Sequence, residues 1–500
     1  MSFASYPFLL CLLPLTWAGF YLLRKRASGR LSISLLILAS LIFYGLDRPW
    51  GLAALVFSLL VNYAFASRLA REDDASASRP LLLTGALVNV FLLVVLKWGA
   101  QVDAIPLDGW EFLENFGLPL AFSFFVFQQI AFLTEVARKE SSLPDFLNYC
   151  LYMLFLPQLL AGPVTRPKEM MWQYESQEFF RVRWDHVSAG LALFSLGFFK
   201  KTVLADPVGR FADSAFNAAA SGATLNLAEA WSGALAFSFQ IYFDLSGYAD
   251  MAMGVALLFG IVLPWNFDSP YKAGSLIEFW RRWHMTLARW SRDHLYLPLK
   301  GASRDLMRQG VCLFVVMILT GLWHGAGLHF VLWGGLHGLL LWGNHAWRRF
   351  AGRSAQRVGW ARRLLNTALT FITVTFLWVL FRAGDLPTAI SMYKSMLGLQ
   401  TELWQGANHV KISEDRLWFL FFIVWFLPSS RQWMQRFEAL SSGEFDTRQA
   451  HTEKSPGWLA KLQSRMEWKA DEWWAAAVAL IFLVAFLQIS TGRPFIYFQF

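Results

Sequence analysis

Apolar runs of about twenty residues, cut by short basic or mixed-charge loops, recur along this chain. They begin near Tyr6, Leu31, Gly51, Leu81, Gly117, Asp145, Asp185, Ala228, Met251, Leu306, Leu328, Leu364, Leu417 and Ala475. A helix of about 20 residues crosses a hydrocarbon core of roughly 30 Å, so most of these runs predict spanning helices. Several carry too many polar residues to face lipid and are expected to be re-entrant or interfacial. The pattern predicts an all-α polytopic membrane protein with about 11–13 transmembrane helices plus re-entrant and amphipathic interfacial helices. We read the chain as one domain: residues 1–140 as N-terminal helices, 141–400 as the core, and 401–500 as C-terminal helices around a cytoplasmic loop at 430–472.

Composition supports lipid as the solvent. Of 500 residues, 56% are hydrophobic and 16% charged, with 25 Trp and 46 Phe. The N-terminal MSFASYP lacks a basic leader, and RKRASGR (24–30) follows the first run, which describes a retained first helix. The net charge of +9 gathers in loops such as RKRASGR, RRFAGRSAQRVGWARR (348–363) and Lys300–Arg308, which should all be cytoplasmic. The acidic VDAIPLDGWEFLEN (102–115) should face outward. Anionic headgroups account for the basic loops without any nucleic acid. Cys11, Cys150 and Cys312 lie in apolar runs without metal spacing and read as packing residues. No internal repeat is visible, which weakens a transporter reading.

Two stretches carry candidate chemistry. Between Glu278 and Asp293 lie six formal charges: Glu278, Arg281, Arg282, Arg289, Arg292 and Asp293. A lipid-exposed span there would cost roughly 15–21 kcal/mol on insertion scales, so residues 275–301 should not span. Leu276, Phe279, Trp280, Trp283, Leu287 and Trp290 recur at helical spacing, predicting one amphipathic helix. On it His284 falls about 40° from Trp280 and 60° from Leu287, on or beside the buried face, while Arg282 and Arg289 point to headgroups or a charged ligand. The competing reading is a surface helix in which His284 merely snorkels.

The second stretch, GLWHGAGLHFVLWGGLHGLLLW (321–342), contains His324, His329 and His337 at membrane depth. Ionisable groups there mark functional sites by default. His329 and His337 lie about 140° and 220° around an ideal helix from His324, so the three cannot share one ion. No HExxH motif occurs, and no metal site is expected. His324, at a glycine-rich junction that permits a backbone break and close approach of a substrate, is the candidate proton carrier. His329 and His337 read as packing residues.

The motifs FLPQLLAGPVTRP (155–167), QIYFDLSGYADMAMG (240–254), NFDSPYKAGSLIEFWRRWHMTLARWSRDHLYLPL (266–299), GLWHGAGLHFVLWGGLHG (321–338), WVLFRA (378–383) and PFIYFQF (494–500) resemble those of bacterial membrane-bound O-acyltransferases (MBOAT), in the alginate O-acetyltransferase-like branch. The resemblance implies an MBOAT-like bundle in a bacterial inner membrane, with His324 as the essential histidine and His284 as the second. It implies acyl transfer from cytoplasmic acetyl-CoA, as a substrate and not a bound cofactor, to an acceptor hydroxyl reached from the other side. A periplasmic or membrane-anchored acetyltransferase partner is expected to relay the group to a polysaccharide, and the periplasmic loops and PFIYFQF are where it should dock. Direct transfer is the alternative. KGASRDLMRQG follows RDHLYLPL where relatives usually carry a GGNR-like turn, which leaves ligand roles for Lys300–Arg304 open.

The chemistry suits these residues. A neutral, desolvated His324 can act as general base. His284 is expected to orient it or to hydrogen-bond the thioester carbonyl. Arg281, Arg282, Arg289 and Arg292, with Trp283, Trp323 and also Lys200 and Lys201, are expected at the donor phosphates and acyl group. Asp244, Asp250, Glu278 and Tyr248 are expected to brace the site, the two aspartates through a hydrogen-bond network more than by fixing a histidine tautomer. Related chemistries are peptidoglycan or cellulose acetylation and teichoic-acid D-alanylation; the non-enzyme alternative is a proton-coupled transporter.

Overall fold

The computed structural model describes residues 2–26, 29–46, 49–98, 122–160, 162–325, 327–351, 359–400, 414–437, 464–489 and 493–496. The acidic segment 102–115, most of the loop 430–472 and the last four residues of PFIYFQF lie outside the described residues. All regular structure among those described is helical.

In chain order the main helices are α1 (Leu13–Arg26), α2 (Gly29–Gly45), α3 (Pro49–Arg71), α4 (Ala75–Trp98), α5 (Phe122–Ala137), α6 (Phe146–Leu154), α7 (Pro167–Glu175), α8 (Trp184–Phe199), α9 (Asp206–Ala220) and α10 (Leu227–Leu258). Then follow α11 (Leu276–Arg282), α12 (Met285–Ser291), α13 (Leu306–His324), α14 (Leu328–Ala351), α15 (Trp360–Arg382), α16 (Leu386–Met396), α17 (Glu414–Phe426) and α18 (Glu472–Leu487). Among the described residues five helical stretches are long and apolar enough to cross a membrane: Gly51–Arg71, Ala75–Lys97, Trp184–Ala220, Leu306–His324 and Trp360–Arg382. Shorter apolar helices lie at Phe8–Arg24, Gly29–Gly45, Phe122–Ala137 and Glu472–Leu487, and α10 is buried along most of its length. At 32 residues, about 48 Å, α10 is longer than the bilayer core is thick.

Hydrogen bonds between loops show which helix ends share a face. Lys139, just past α5, donates to the Ala70 carbonyl near the end of α3 (2.8 Å). Arg349, near the end of α14, donates to the Arg304 carbonyl before α13 (3.3 Å). Lys97, near the end of α4, donates to the His324 carbonyl at the end of α13 (3.2 Å), which puts both of those ends on the opposite face. One face therefore collects Arg68, Arg71, Arg138, Lys139, Arg304, Arg308, Arg348 and Arg349; it is called the basic face below, and the other the far face.

Lipid gives helices no hydrophobic reason to associate, so close packing must hold the bundle. On α8, Gly190 and Gly197 lie seven residues apart, and so do Gly247 and Gly254 on α10. A Cβ at Gly197 would sit 2.5 Å from the Gly247 carbonyl, and one at Gly254 2.7 Å from the Gly190 carbonyl. The α13–α14 hairpin closes in the same way: a Cβ at Gly338 would sit 2.7 Å from the Phe314 Cα, and Gly321 and Gly334 face backbone across the pair. The tail also packs inward. Phe495 and Ile496 are buried, with the Phe495 ring 4.5 Å from Tyr248 and the Ile496 amide donating to Asp244 (2.7 Å). Within PFIYFQF, Phe495 and Ile496 are therefore core and not a free docking surface, while Pro494 is exposed.

Gly197→Leu should prevent the α8–α10 contact, since overpacking typically costs about 1–3 kcal/mol even where no backbone is struck. The expected outcome, read by size-exclusion chromatography in detergent, is loss of the monodisperse peak, whereas Gly343→Leu, at a position with open space around it, should leave the peak intact.

Candidate active site

The chain enters the site from the basic face. Arg348 donates to the Ser275 hydroxyl (3.0 Å), which ties the start of α11 to that face. Ser275 caps α11 by accepting from the Glu278 amide (3.3 Å), and Glu278 reaches back to the Gly274 amide (2.9 Å). After only seven residues the helix stops, and His284 adopts a left-handed backbone (φ 43°, ψ 53°) before α12 begins. The expected single amphipathic helix over 275–301 is thus two short helices with His284 at the break.

The physical reason lies in the preceding loop. Asp268 donates its amide to the Arg282 carbonyl (3.0 Å), and the Met285 amide donates to the Asn266 carbonyl (2.9 Å). The Asn266 side-chain oxygen accepts from the Thr286 hydroxyl (2.9 Å) and amide (3.3 Å). Backbone groups that a continuous helix would pair internally find partners on residues 266–268 instead, as buried groups must. Arg308 donates to the Leu299 carbonyl (3.3 Å), returning the segment to the basic face. His284 is buried, and Trp280 packs against His337 and Trp333 in the middle of α14, so the unit is re-entrant and not a surface helix.

His324 ends α13 at the far-face side. Gly325 after it is extended (φ −176°), a conformation any residue adopts; the glycine is needed because a Cβ would strike the Phe330 ring. The expected backbone break is present, since α13 ends at His324 and α14 begins at Leu328, and packing adds a reason for glycine at 325. The His324 ring is buried among Trp323 (4.4 Å), Phe381 (4.7 Å), Trp333 (5.4 Å) and Phe330 (6.4 Å). The two histidines share one aromatic shell. His284 stacks on Phe124 (6.0 Å), Phe124 meets Trp323 edge-on (5.2 Å), and Trp323 touches His324. A second path runs from Trp283 through Trp378 (5.0 Å) and Phe381 (5.3 Å) to His324.

Lys97 was not singled out by sequence reasoning. Its ammonium donates to the Trp323 and His324 carbonyls and lies 5.9 Å from the centre of the Trp323 ring. A lone lysine closing an apolar run, LLVVLKW, looks like an ordinary helix-end cation, and nothing in the sequence ties it to a residue 227 positions later. Asn266, inside a recognised motif, was likewise given no role.

Other expected site residues fall elsewhere. Of the four arginines, only Arg281 is exposed, and its charge reaches Arg348 and His345 at the basic face. Arg282 pairs with Glu278 (2.5 Å), Arg289 makes a bidentate pair with Glu169 (2.6 and 2.8 Å), and Arg292 pairs with Asp293 (2.8 Å), which Arg166 also holds. These three face protein carboxylates instead of forming an open cationic lining. Lys200 and Lys201 are buried in a π-helical turn between α8 and α9. Lys200 binds Asp250 (2.7 Å) and Ser430 (2.5 Å); Lys201 binds Asp206 (2.8 Å) and Asp244 (2.7 Å). Asp244 and Asp250 are thus members of a structural network, and they brace lysines and not histidines. Tyr248 stacks between Phe3 (5.0 Å) and Phe495, in that same region. Trp283 is a core residue against Phe267 and Phe279. His337 accepts from the Trp280 indole (3.3 Å) and His329 packs on Phe330 (4.3 Å), in keeping with packing roles. Among the described residues no group of three His, Cys, Asp or Glu could hold a metal ion.

The sequence profile of the membrane-bound O-acyltransferase family matches residues 56–381, and the chain belongs to that family. It is 36% identical to a peptidoglycan O-acetyltransferase of Helicobacter pylori, covering 78% of this chain and 79% of the relative. A probable alginate O-acetylase of Pseudomonas syringae pv. tomato is 31% identical over 100% of both chains. A teichoic acid D-alanyltransferase of Streptococcus thermophilus is 30% identical over 52% of this chain and 64% of the relative. The protein is a multi-pass membrane O-acyltransferase, which removes the transporter alternative.

The left-handed turn separates the two jobs of His284, because glycine adopts that conformation without strain while alanine does not. His284→Gly should keep the thermal midpoint of the wild type within a few degrees and still lose acyl transfer, and His284→Ala should lose transfer and also unfold earlier. A thermal shift assay beside a thioester-consumption assay reads both; full activity in the glycine variant would reduce the imidazole to a backbone filler.

Proposed function

We propose that the protein transfers an acetyl group from cytoplasmic acetyl-CoA to a hydroxyl on the far side of a bacterial inner membrane, for O-acetylation of an envelope or secreted polysaccharide. The observation that carries the proposal is the meeting of two histidines brought in from opposite faces. His284 sits at the apex of a re-entrant unit that starts at the basic face, and His324 ends a helix at the far face, in one aromatic shell. Basic loops mark the cytoplasmic side of spanning helices, so the donor approaches from the side of Arg281, Arg348 and Arg349. A cationic rim suits the phosphates of a coenzyme A thioester.

The chemistry balances without a metal or cofactor. The His324 imidazole takes the hydroxyl proton as the oxygen attacks the thioester carbon. A C–O bond forms, negative charge develops on the carbonyl oxygen, and the C–S bond then breaks; the departing thiolate takes up the proton that His324 received, which restores the neutral base. His284 serves to hold the carbonyl or the neighbouring imidazole, and the dry shell strengthens each such interaction.

The acceptor reading rests on the relatives. Full-length similarity to an alginate O-acetylase supports a secreted polysaccharide, and the higher identity to a peptidoglycan O-acetyltransferase supports cell-wall glycan as the second reading. Relay through a serine on an extracytoplasmic partner is the route we favour, with the far-face loops as the docking region.

His324→Ala should insert and fold as the wild type does, because a ring is removed from a shell of other rings, yet transfer no acetyl groups. Acetyl esters in extracted exopolysaccharide and in peptidoglycan, quantified from cells carrying each variant, test it. Loss from one polymer alone names the acceptor, and retained esters in both would refute the assignment of His324.

A further inference from the structure

The last turn of a helix leaves carbonyls without intrahelical donors, and lipid offers them none. At the end of α13 the Gly321 carbonyl accepts from the Gly325 amide (3.3 Å), while the Trp323 and His324 carbonyls accept from Lys97. The backbone that carries His324 is thus held by a side chain from α4. A cap alone does not need a charge, since a glutamine amide or a hydroxyl donates to carbonyls equally well. Among the described residues no carboxylate pairs with this half-buried ammonium. By default an ionisable group packed into a membrane bundle marks a functional site. The position of Lys97 answers what that function is. It stands over the edge of the shell that contains His324, with the Trp323 ring beneath it and the His324 carbonyl at 3.2 Å. An ammonium has three N–H donors, of which the two carbonyls occupy two.

We propose that Lys97 is a positioning residue for acyl transfer: it fixes the backbone of His324 and places a positive charge beside the reacting centre as the carbonyl oxygen turns negative. The inference rests on the transferase reading of His324. It also makes α4 part of the site, so the N-terminal helices are not merely a lipid-facing wall.

The test uses the purified full chain, acetyl-CoA as donor, and thiol release as readout for Lys97→Arg, Lys97→Gln and Lys97→Met, with His324→Ala alongside. Gln keeps hydrogen bonds to the carbonyls and so serves as the variant safest for folding; Arg keeps both hydrogen bonds and charge. The expected result is a kcat about 30-fold lower or more for Gln and Met, near-wild-type kcat for Arg, and a KM for acetyl-CoA within about 2-fold throughout, because a charge acting only in the transition state leaves ground-state binding alone. Wild-type kcat in Lys97→Gln, with His324→Ala inactive, would overturn the role of the charge and leave the transferase reading standing. Turnover surviving in His324→Ala would instead overturn the assignment of His324 as the base on which this inference rests.

Discussion

The site depends on an exchange of backbone hydrogen bonds between residues 266–268 and the interrupted helix at 282–286. Without Asn266 and Asp268 to take the freed carbonyl and amide groups, a helix running through Trp283 and His284 would be the lower-energy path, and the imidazole would turn with it. The left-handed backbone at His284 persists because its surroundings over-determine it. Thr286 adds a further tie by accepting from the Val164 amide (3.1 Å), which couples the break to the loop after α6. A short polar loop and one buried threonine thereby decide where the His284 side chain points.

Charge in this protein is organised in two ways. At the basic face, Arg281 and its neighbours remain open to solvent, while Arg289 and Arg292 are neutralised by Glu169 and Asp293. Within the bundle, Lys200 and Lys201 are matched by Asp250, Asp206 and Asp244, and the tail docks onto the same aspartate through the Ile496 amide. Lys97, like the half-buried Lys272 that donates to the Leu427 carbonyl (2.9 Å), belongs to neither arrangement among the described residues. Its partners are carbonyl dipoles, and the helix end they belong to carries His324.

Much of the architecture was legible from periodicity, since apolar runs long enough to cross a bilayer have few soluble alternatives. The burial of His284 was legible too, because its angular position put it beside Trp280 and Leu287. The break was not, for it depends on Asn266, whose side chain is remote from Thr286 along the chain. Pairings such as Arg289 with Glu169, 120 residues apart, are equally invisible, and this is why arginines with ligand-like spacing turned out to be held by protein carboxylates. Helical angles tell which way a side chain leaves its own axis. They do not tell what waits there.

The paired lysines have a consequence for how this enzyme can be mapped. Truncating one member of a buried pair strands the other charge in a low-dielectric interior, at a cost of about 3–5 kcal/mol. A mutational survey scored only by product formation will therefore rank Lys200, Lys201, Asp244 and Asp250 beside the two histidines, although none of the four touches the aromatic shell. Scoring protein abundance in the membrane alongside product separates the groups that perform chemistry from those that keep the scaffold electrically neutral.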